Sequence, residues 1–393
     1  MKLRWKSLLS IALLLCLFFF QTRAAQPPSR QEVLDMVWHE QFDELERLDG
    51  ELRGQKPGFY RGYSPLSKIY GHLAGIGRNT DDAVWKEYIG KLEQWARAYP
   101  ESPTPRVALG NLYVSWAWKA RGGGWGSEVT EEGWRLMRER LEKAREHLED
   151  AERLPVKDPE LYRAYLSVAL GQGWPREEME AVFKKGVELD PDYQQLYESK
   201  AYFLLPRWYG EPGEWEAFAQ QTADARGGEE GDILYMAIAR SQAATEGAEF
   251  FRNTRISYQR MKLGFEASLR RYPDYVWEMN SYCYFACIAG DRDTARQLFQ
   301  KIGDRWEKEV WRQRNYFQQW QDWAVHRGRL PAAATGSGGR TGRVLLTPDR
   351  VKSALVIAGA IWLGLVAIIG AVVWLMVRRS RKPPPPLPRT PAQ

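Results

Sequence analysis

The chain has 393 residues and a formal net charge of +6, yet that charge sits at its two ends. Residues 1–25 carry four positive charges, residues 327–352 a net five and residues 378–393 another five, which leaves residues 26–326 at −8. An acidic body argues against nucleic acid as a partner, whatever the whole-chain balance suggests.

Lys2, Arg4 and Lys6, an apolar run from Leu8 to Phe20 and Thr22-Arg23-Ala24 read as a signal peptide over 1–25 with its cleavage site. Leu15 stands where a lipoprotein signal needs a small residue, so Cys16 is not read as a lipid anchor. From Ser29 the spacing predicts one helix with Leu34, Trp38, Gln41, Leu45, Leu48 and Leu52 on a face. A short helix is expected over Leu66 to Leu73, then a longer one from Thr80 or Asp81 with the stripe Val84, Tyr88, Leu92, Trp95 and Tyr99, closed by Pro100. Its partner runs over 103–120 and ends in the turn Gly122 to Gly126. Thr130 caps the next helix, Pro159 opens another and Trp174-Pro175 opens the helix that ends at Asp190-Pro191. A helix with Tyr193, Leu196, Tyr197, Ala201, Tyr202 and Leu205 stops at Pro206, and further helices are predicted near 231–245, 254–271, 273–289, 292–303 and 306–327. The whole body, 26–326, reads as some fourteen helices without a strand.

Residues 327–352 form a basic linker rich in glycine, alanine and arginine. Residues 353–377 hold an uncharged run from Ala354 that as a helix would be about 36 Å long, enough to span a hydrocarbon core of about 30 Å. The signal directs the body outward and places Arg378, Arg379, Arg381 and Lys382 inside, with a Pro-rich cytoplasmic tail over 378–393. Ala360 with Gly364, and Ala367 with Ala371, are small pairs through which two spans could associate as a homo-oligomer.

The body repeats. Leu92, Phe183 and Phe265 stand eight residues before Pro100, Pro191 and Pro273, and the last two prolines open the same tripeptide, Pro-Asp-Tyr. Tyr202 and Tyr284 follow at eleven residues, which predicts a unit of aromatic knob, proline corner and a second helix whose aromatic packs back. On these residues the chain resembles a tetratricopeptide-like protein. More narrowly, the pieces LEQWARAYPESPTPRVAL, SWAWKARGGGWGSEV, LLPRWYGEPGEWEAFA and NSYCYFACIAGDRDTARQLFQKIG resemble the bacterial domain of unknown function 4034 family. The resemblance covers about residues 85–305. It implies an all-α helical-hairpin repeat fold and a bacterial origin, and it brings no known reaction and no catalytic residue.

Chemistry is sparse. His39, His72, His147 and His326 lie in unrelated segments, and His39-Glu40 with Asp43 lacks the second histidine of a metalloprotease pair. Cys283 and Cys287, four apart on a helix, are too far apart to bridge without distortion and are read as core residues. Gly71, Gly75 and Gly77 follow no strand and are not a dinucleotide fingerprint. The loop Gly122 to Gly126 is read as a turn, because Glu128, Glu131 and Glu132 would repel an anion. No catalytic residue, metal or cofactor is called. The corner from Arg207 to Trp215 has no copy elsewhere, and Trp208, Tyr209, Glu211 and Trp215 are the candidate binding residues, either a plug on the neighbouring hairpin or a contact surface. The expected function is a scaffold at the bacterial inner membrane that binds a protein or peptide. The alternative is an envelope glycan-binding module or hydrolase using groove aromatics and carboxylates.

Overall fold

The computed structural model describes residues 28–54, 64–77 and 79–326, with 328 and 331. The predicted signal peptide, most of the linker, the predicted span and the Pro-rich tail lie outside the described residues. No helix among the described residues is long and apolar enough to cross a membrane. Contacts divide the chain into a unit ending at Gly336 and a second from Ser337 onward. All described residues belong to the first.

These residues form seventeen α-helices and three single 3-10 turns, with no strand among them. The helices are α1 Arg30–Trp38, α2 Phe42–Gly54, α3 Pro65–Leu73, α4 Asp82–Ala98, α5 Thr104–Arg121, α6 Glu131–Arg153, α7 Pro159–Gln172, α8 Arg176–Leu189 and α9 Gln194–Phe203. They continue as α10 Glu214–Arg226, α11 Gly228–Gln242, α12 Phe250–Asn253, α13 Tyr258–Arg271, α14 Val276–Ile288, α15 Arg292–Ile302, α16 Lys308–Trp311 and α17 Arg314–His326.

Two predicted helices are each broken by one residue with positive φ. Glu40 (φ 57°) separates α1 from α2, and Arg312 (φ 61°) separates α16 from α17. At the first break the Gln41 N–H reaches back to the Met36 carbonyl at 2.8 Å, the closure expected of a left-handed C-terminal cap. Periodicity runs through both breaks because each costs only one residue of phase. The buried stripe of α1 and α2 is therefore Val33, Val37, Leu45 and Leu52, with Leu34 and Trp38 at its edge.

Several predicted starts are observed as caps. Thr130 accepts from the Gly133 N–H at 3.0 Å, and Asp158 accepts from the Glu160 N–H at 2.8 Å ahead of Pro159 at the first position of α7. The two Pro-Asp-Tyr corners share one conformation: Tyr193 has φ −75°, ψ 88° and Tyr275 has φ −78°, ψ 91°. Identical sequence has given an identical turn.

The aromatics that close these hairpins differ from the expected ones. Phe183 meets Tyr197 at 5.4 Å and Phe265 meets Tyr282 at 5.0 Å, between ring centroids. Tyr202 instead packs on Trp208, and Tyr284 on Trp311. Residues of an antiparallel pair meet when they lie about equally far from the corner. Tyr197 and Tyr282 stand six and nine residues past their prolines, against eight before for the phenylalanines, whereas eleven overshoots.

Packing is alternating. Helices α3, α5, α7, α9 and α11 form an inner row, each against the next, while α6, α8 and α10 bridge successive members and α4 packs on α5 and α1. Helix α13 packs on α11 so closely that a β-carbon on Gly264 would lie 2.6 Å from the Met236 Cβ. Helices α14 to α17 complete the unit, and Cys283 and Cys287 are free and buried within α14.

Candidate functional site

The inner row buries polar side chains as well as apolar ones, and they connect. At the start, Asp49 and Arg53 of α2 form an ion pair, and Thr104 donates to Asp49 at 2.8 Å. Arg53 also lies 3.7 Å from Asp158, which accepts from the Tyr70 hydroxyl at 2.7 Å. Glu160, 1% exposed, accepts from Asn111 at 3.0 Å, from Arg163 Nε at 2.5 Å and from the Tyr193 hydroxyl at 2.5 Å. Farther along, Arg240 of α11 pairs with Glu278 of α14 at 2.5 Å. A buried charge is tolerated only when paired and hydrogen-bonded, which most of these are.

Three cavities open along this row. One of about 430 Å³ is lined by Arg30, Gly71, Gly75, Trp85, Ser115 and Trp118, among others. It shares Gly71, Ala74, Val114 and Ser115 with a second of about 420 Å³, which continues to Ser67, Asn111, Glu160 and Arg163. Arg163 Nη1 reaches Ser167 Oγ at 3.4 Å, and Ser167 lines the third, of about 180 Å³, with Glu198, Ser199, Tyr202, Ser241 and Gln242. The first two merge through their shared residues and the third lies one turn farther along α7, and this row of cavities, the groove, touches α3, α5, α7, α9 and α11. Its floor uses pairs four apart on one helix face, Ser67 with Gly71, Asn111 with Ser115 and Arg163 with Ser167. A β-carbon at Gly71 would meet nothing within 4 Å, so this mid-helix glycine leaves room in the groove.

The unrepeated corner reaches this groove through one residue. Trp208 stacks edge-on against Trp118 at 5.6 Å and lies 6.0 Å from Tyr202, so it joins a wall residue of the first cavity to one of the third. The Arg121 guanidinium sits over the rings of Trp118, Trp134 and Trp208 at 5.4–5.8 Å. Tyr209 is 43% exposed, and its hydroxyl donates to the Leu170 carbonyl at 3.1 Å, which ties the corner back onto α7. Arg176 holds the corner from below, donating to Glu214 at 2.7 Å and to the Tyr209 carbonyl at 3.0 Å. Glu211 is exposed and donates its N–H to Glu214 at 2.9 Å. Trp215 is a core residue, 4% exposed and packed near Phe250, so it has no surface to offer a ligand. Trp125, 70% exposed in the glycine turn, is the most exposed large apolar side chain among the described residues and lies outside the candidate set.

The groove residues themselves escaped the sequence reading. Their only signal is small polar side chains four apart on helices that alternate in the chain, and solvated helix faces carry the same pattern.

Burial pushes the Glu198 carboxyl up to about 7, with Arg240 and Arg163 opposing, and burial raises Asp158 against the Tyr70 hydrogen bond and Arg53. Hydrogen bonds from Lys119, Trp116 and Arg140 outweigh desolvation to hold Asp82 at about 2, and Lys262, Thr294 and Tyr258 do the same for Asp291. The signs differ. A raised carboxyl contributes stability that is complete below its ordinary value, 4.5 for Glu198, and is lost as pH rises through about 7. The lowered pair contributes stability above 3.8 that is lost as pH falls through about 2. Thermal unfolding followed from pH 4 to 8 is therefore expected to show Tm falling between about 4.5 and 7, and Glu198→Gln should flatten the upper part of that fall.

No family model, curated protein or solved structure matches the chain.

Proposed function

We propose that the chain is a membrane-tethered extracytoplasmic scaffold whose groove takes an extended segment of a protein partner. The observation that carries this is the row of cavities across five inner helices, which small side chains such as Ser67, Gly71, Ser115, Ser167 and Ser199 help to line. Extended peptides suit such a floor, because their backbone groups need hydrogen-bonding partners at regular intervals and their side chains need only small clearances. The aromatic wall of Trp118, Trp208 and Tyr202 adds rigid contact area at low entropic cost.

The rest of the reading comes from the sequence: a tetratricopeptide-like superhelix, export by residues 1–25, and a single span at 353–377 that leaves the tail in the cytoplasm of a bacterium. Membership of the domain of unknown function 4034 family rests on the four segments quoted above. Association of spans through Ala360 and Gly364 belongs to the same proposal. For the glycan-binding or hydrolytic alternative, the sign to look for is a cavity joining Trp208, Tyr209 or Trp125 to two carboxylates. None of the three cavities above is lined that way.

The test is photo-crosslinking in intact cells, with the probe at Ser115 or Ser199 in the groove and at Glu188 on the outer row. Discrete adducts from the two groove positions, absent from Glu188, are expected. Gly71→Phe, which puts a ring into the groove from a position where a β-carbon meets nothing within 4 Å, should abolish the Ser115 adduct while the helical fold, checked by circular dichroism, is retained. Equal adducts from all three positions, or none from the groove, would overturn the reading.

A further inference from the structure

We infer that the cavity between α7, α9 and α11 is a subsite for a lysine or arginine side chain of the bound peptide, with Glu198 as its counter-ion. This deepens the groove reading and rests on it.

Charge comes first. The buried line through this cavity holds three carboxylates, Glu160, Glu198 and Glu278, and two guanidiniums, Arg163 and Arg240. Arg163 is hydrogen-bonded to Glu160 and Asn111, and Arg240 is paired with Glu278. Glu198 is the surplus. Its carboxylate has no hydrogen bond or ion pair among the described residues, and it lines the cavity. Arg163 and Arg240 act on it while bonded to Glu160 and Glu278, so two guanidiniums are shared among three carboxylates.

The hydroxyls around it point to the same ligand. Ser241 spends its proton on the Ile238 carbonyl at 2.8 Å and Ser167 on the Arg163 carbonyl at 3.3 Å. Each also accepts one hydrogen bond, Ser241 Oγ from Gln242 Nε2 at 2.8 Å and Ser167 Oγ from Arg163 Nη1 at 3.4 Å, so what each keeps for the cavity is one acceptor lone pair. Glu198 is the one charged side chain in this lining, so the cavity repels anions. An ammonium brings three donors and no acceptor, and a guanidinium five, which is the complement of such a wall.

Occupancy depends on pH in a definite direction. The charged groups acting on Glu198 are Arg240 of α11 and Arg163 of α7; α8 and α10 pack on the Lys200 side of α9, where Glu180 pairs with Lys200 at 2.5 Å and Phe183 and Phe218 cover it. Tyr202 is the remaining titratable group in the lining. The empty subsite binds a proton at about 7, so a cation must displace that proton below this value and binds more freely above it.

The experiment is selection of random extended heptapeptides on the purified full-length chain at pH 8, in parallel with its Glu198→Gln variant. Selected peptides are expected to share one basic position on the wild type, and that preference should vanish on Glu198→Gln while neighbouring preferences persist. Replacing the basic residue by norleucine, or lowering the pH to 6, should weaken binding to the wild type about 10-fold, the scale of one hydrogen bond to a charged group. The inference falls if the peptides carry no fixed basic position, or if both proteins select the same one. It also falls if spermidine alone displaces them at the peptide's own concentration, which would make the pocket a polyamine site. Failure to select any peptide would remove the groove reading itself, a different outcome from a groove that binds without a basic preference.

Discussion

Replacing Glu160 with alanine is expected to destabilise the helical body by about 3–5 kcal/mol, the cost of removing one partner from a buried ion pair. The side chain is 1% exposed and gathers three donors from three helical segments: Asn111 on α5, Arg163 on its own α7 and the Tyr193 hydroxyl at the start of α9. Its loss deprives the Tyr193 hydroxyl of this acceptor and leaves the Arg163 charge with only the neutral acceptors Asn111 and Ser167, and each group so deprived costs about 1–3 kcal/mol. Glu160→Gln keeps the shape and one acceptor and should lose less. The decisive comparison is the double variant with Arg163→Met: removing both charges should recover part of the loss, because a buried pair is worth little against apolar side chains of similar volume. Urea midpoints at constant slope measure all three. If Glu160→Ala costs under about 1 kcal/mol, the line is not holding these helices in register.

The all-α class and most helix boundaries were legible because they rest on local chemistry. Pro159 and Pro191, the Thr130 cap and the repeated Pro-Asp-Tyr are each readable within a few residues. The breaks at Glu40 and Arg312 were not, since neither residue favours positive φ and the apolar phase continues across both. The candidate site was legible only in part. Trp208 was singled out because a loop with Gly210 and Gly213 cannot bury it by periodicity, and it does stand apart, joining Trp118 to Tyr202. Trp215, two residues beyond Gly213, is already in α10 and faces the core. The groove belongs to neither category. Gly71, Ser115, Ser167, Glu198 and Ser241 come from five helices that alternate in the chain, and only the packing of the inner row brings them onto one surface.

Trp311→Ala is expected to cost about 3–5 kcal/mol, as for other buried tryptophans, and to release the end of the body before the rest unfolds. Trp311 is fully buried although α16 is a single turn ended by the positive φ of Arg312. Its ring contacts Tyr284 of α14, Phe299 of α15 and Phe317 of α17 at centroid distances of 5.2–5.7 Å. The indole N–H donates at 2.8 Å to Asn280 Oδ1, which also accepts from the Glu307 N–H at 3.2 Å. Helix α17 also packs directly on α15, with Phe317 on Phe299 at 5.1 Å and Arg296 donating to the Ala324 carbonyl at 3.2 Å, and Trp311 adds the link from this pair to α14. Hydrogen exchange should show residues 308–326 losing protection in the variant while α5 to α11 keep theirs. Trp311→Phe, which fills most of the space but lacks the N–H, should restore that protection and retain a residual loss of about 1 kcal/mol. Uniform loss of protection in the alanine variant would show instead that the terminal helices and the inner row unfold as one cooperative unit.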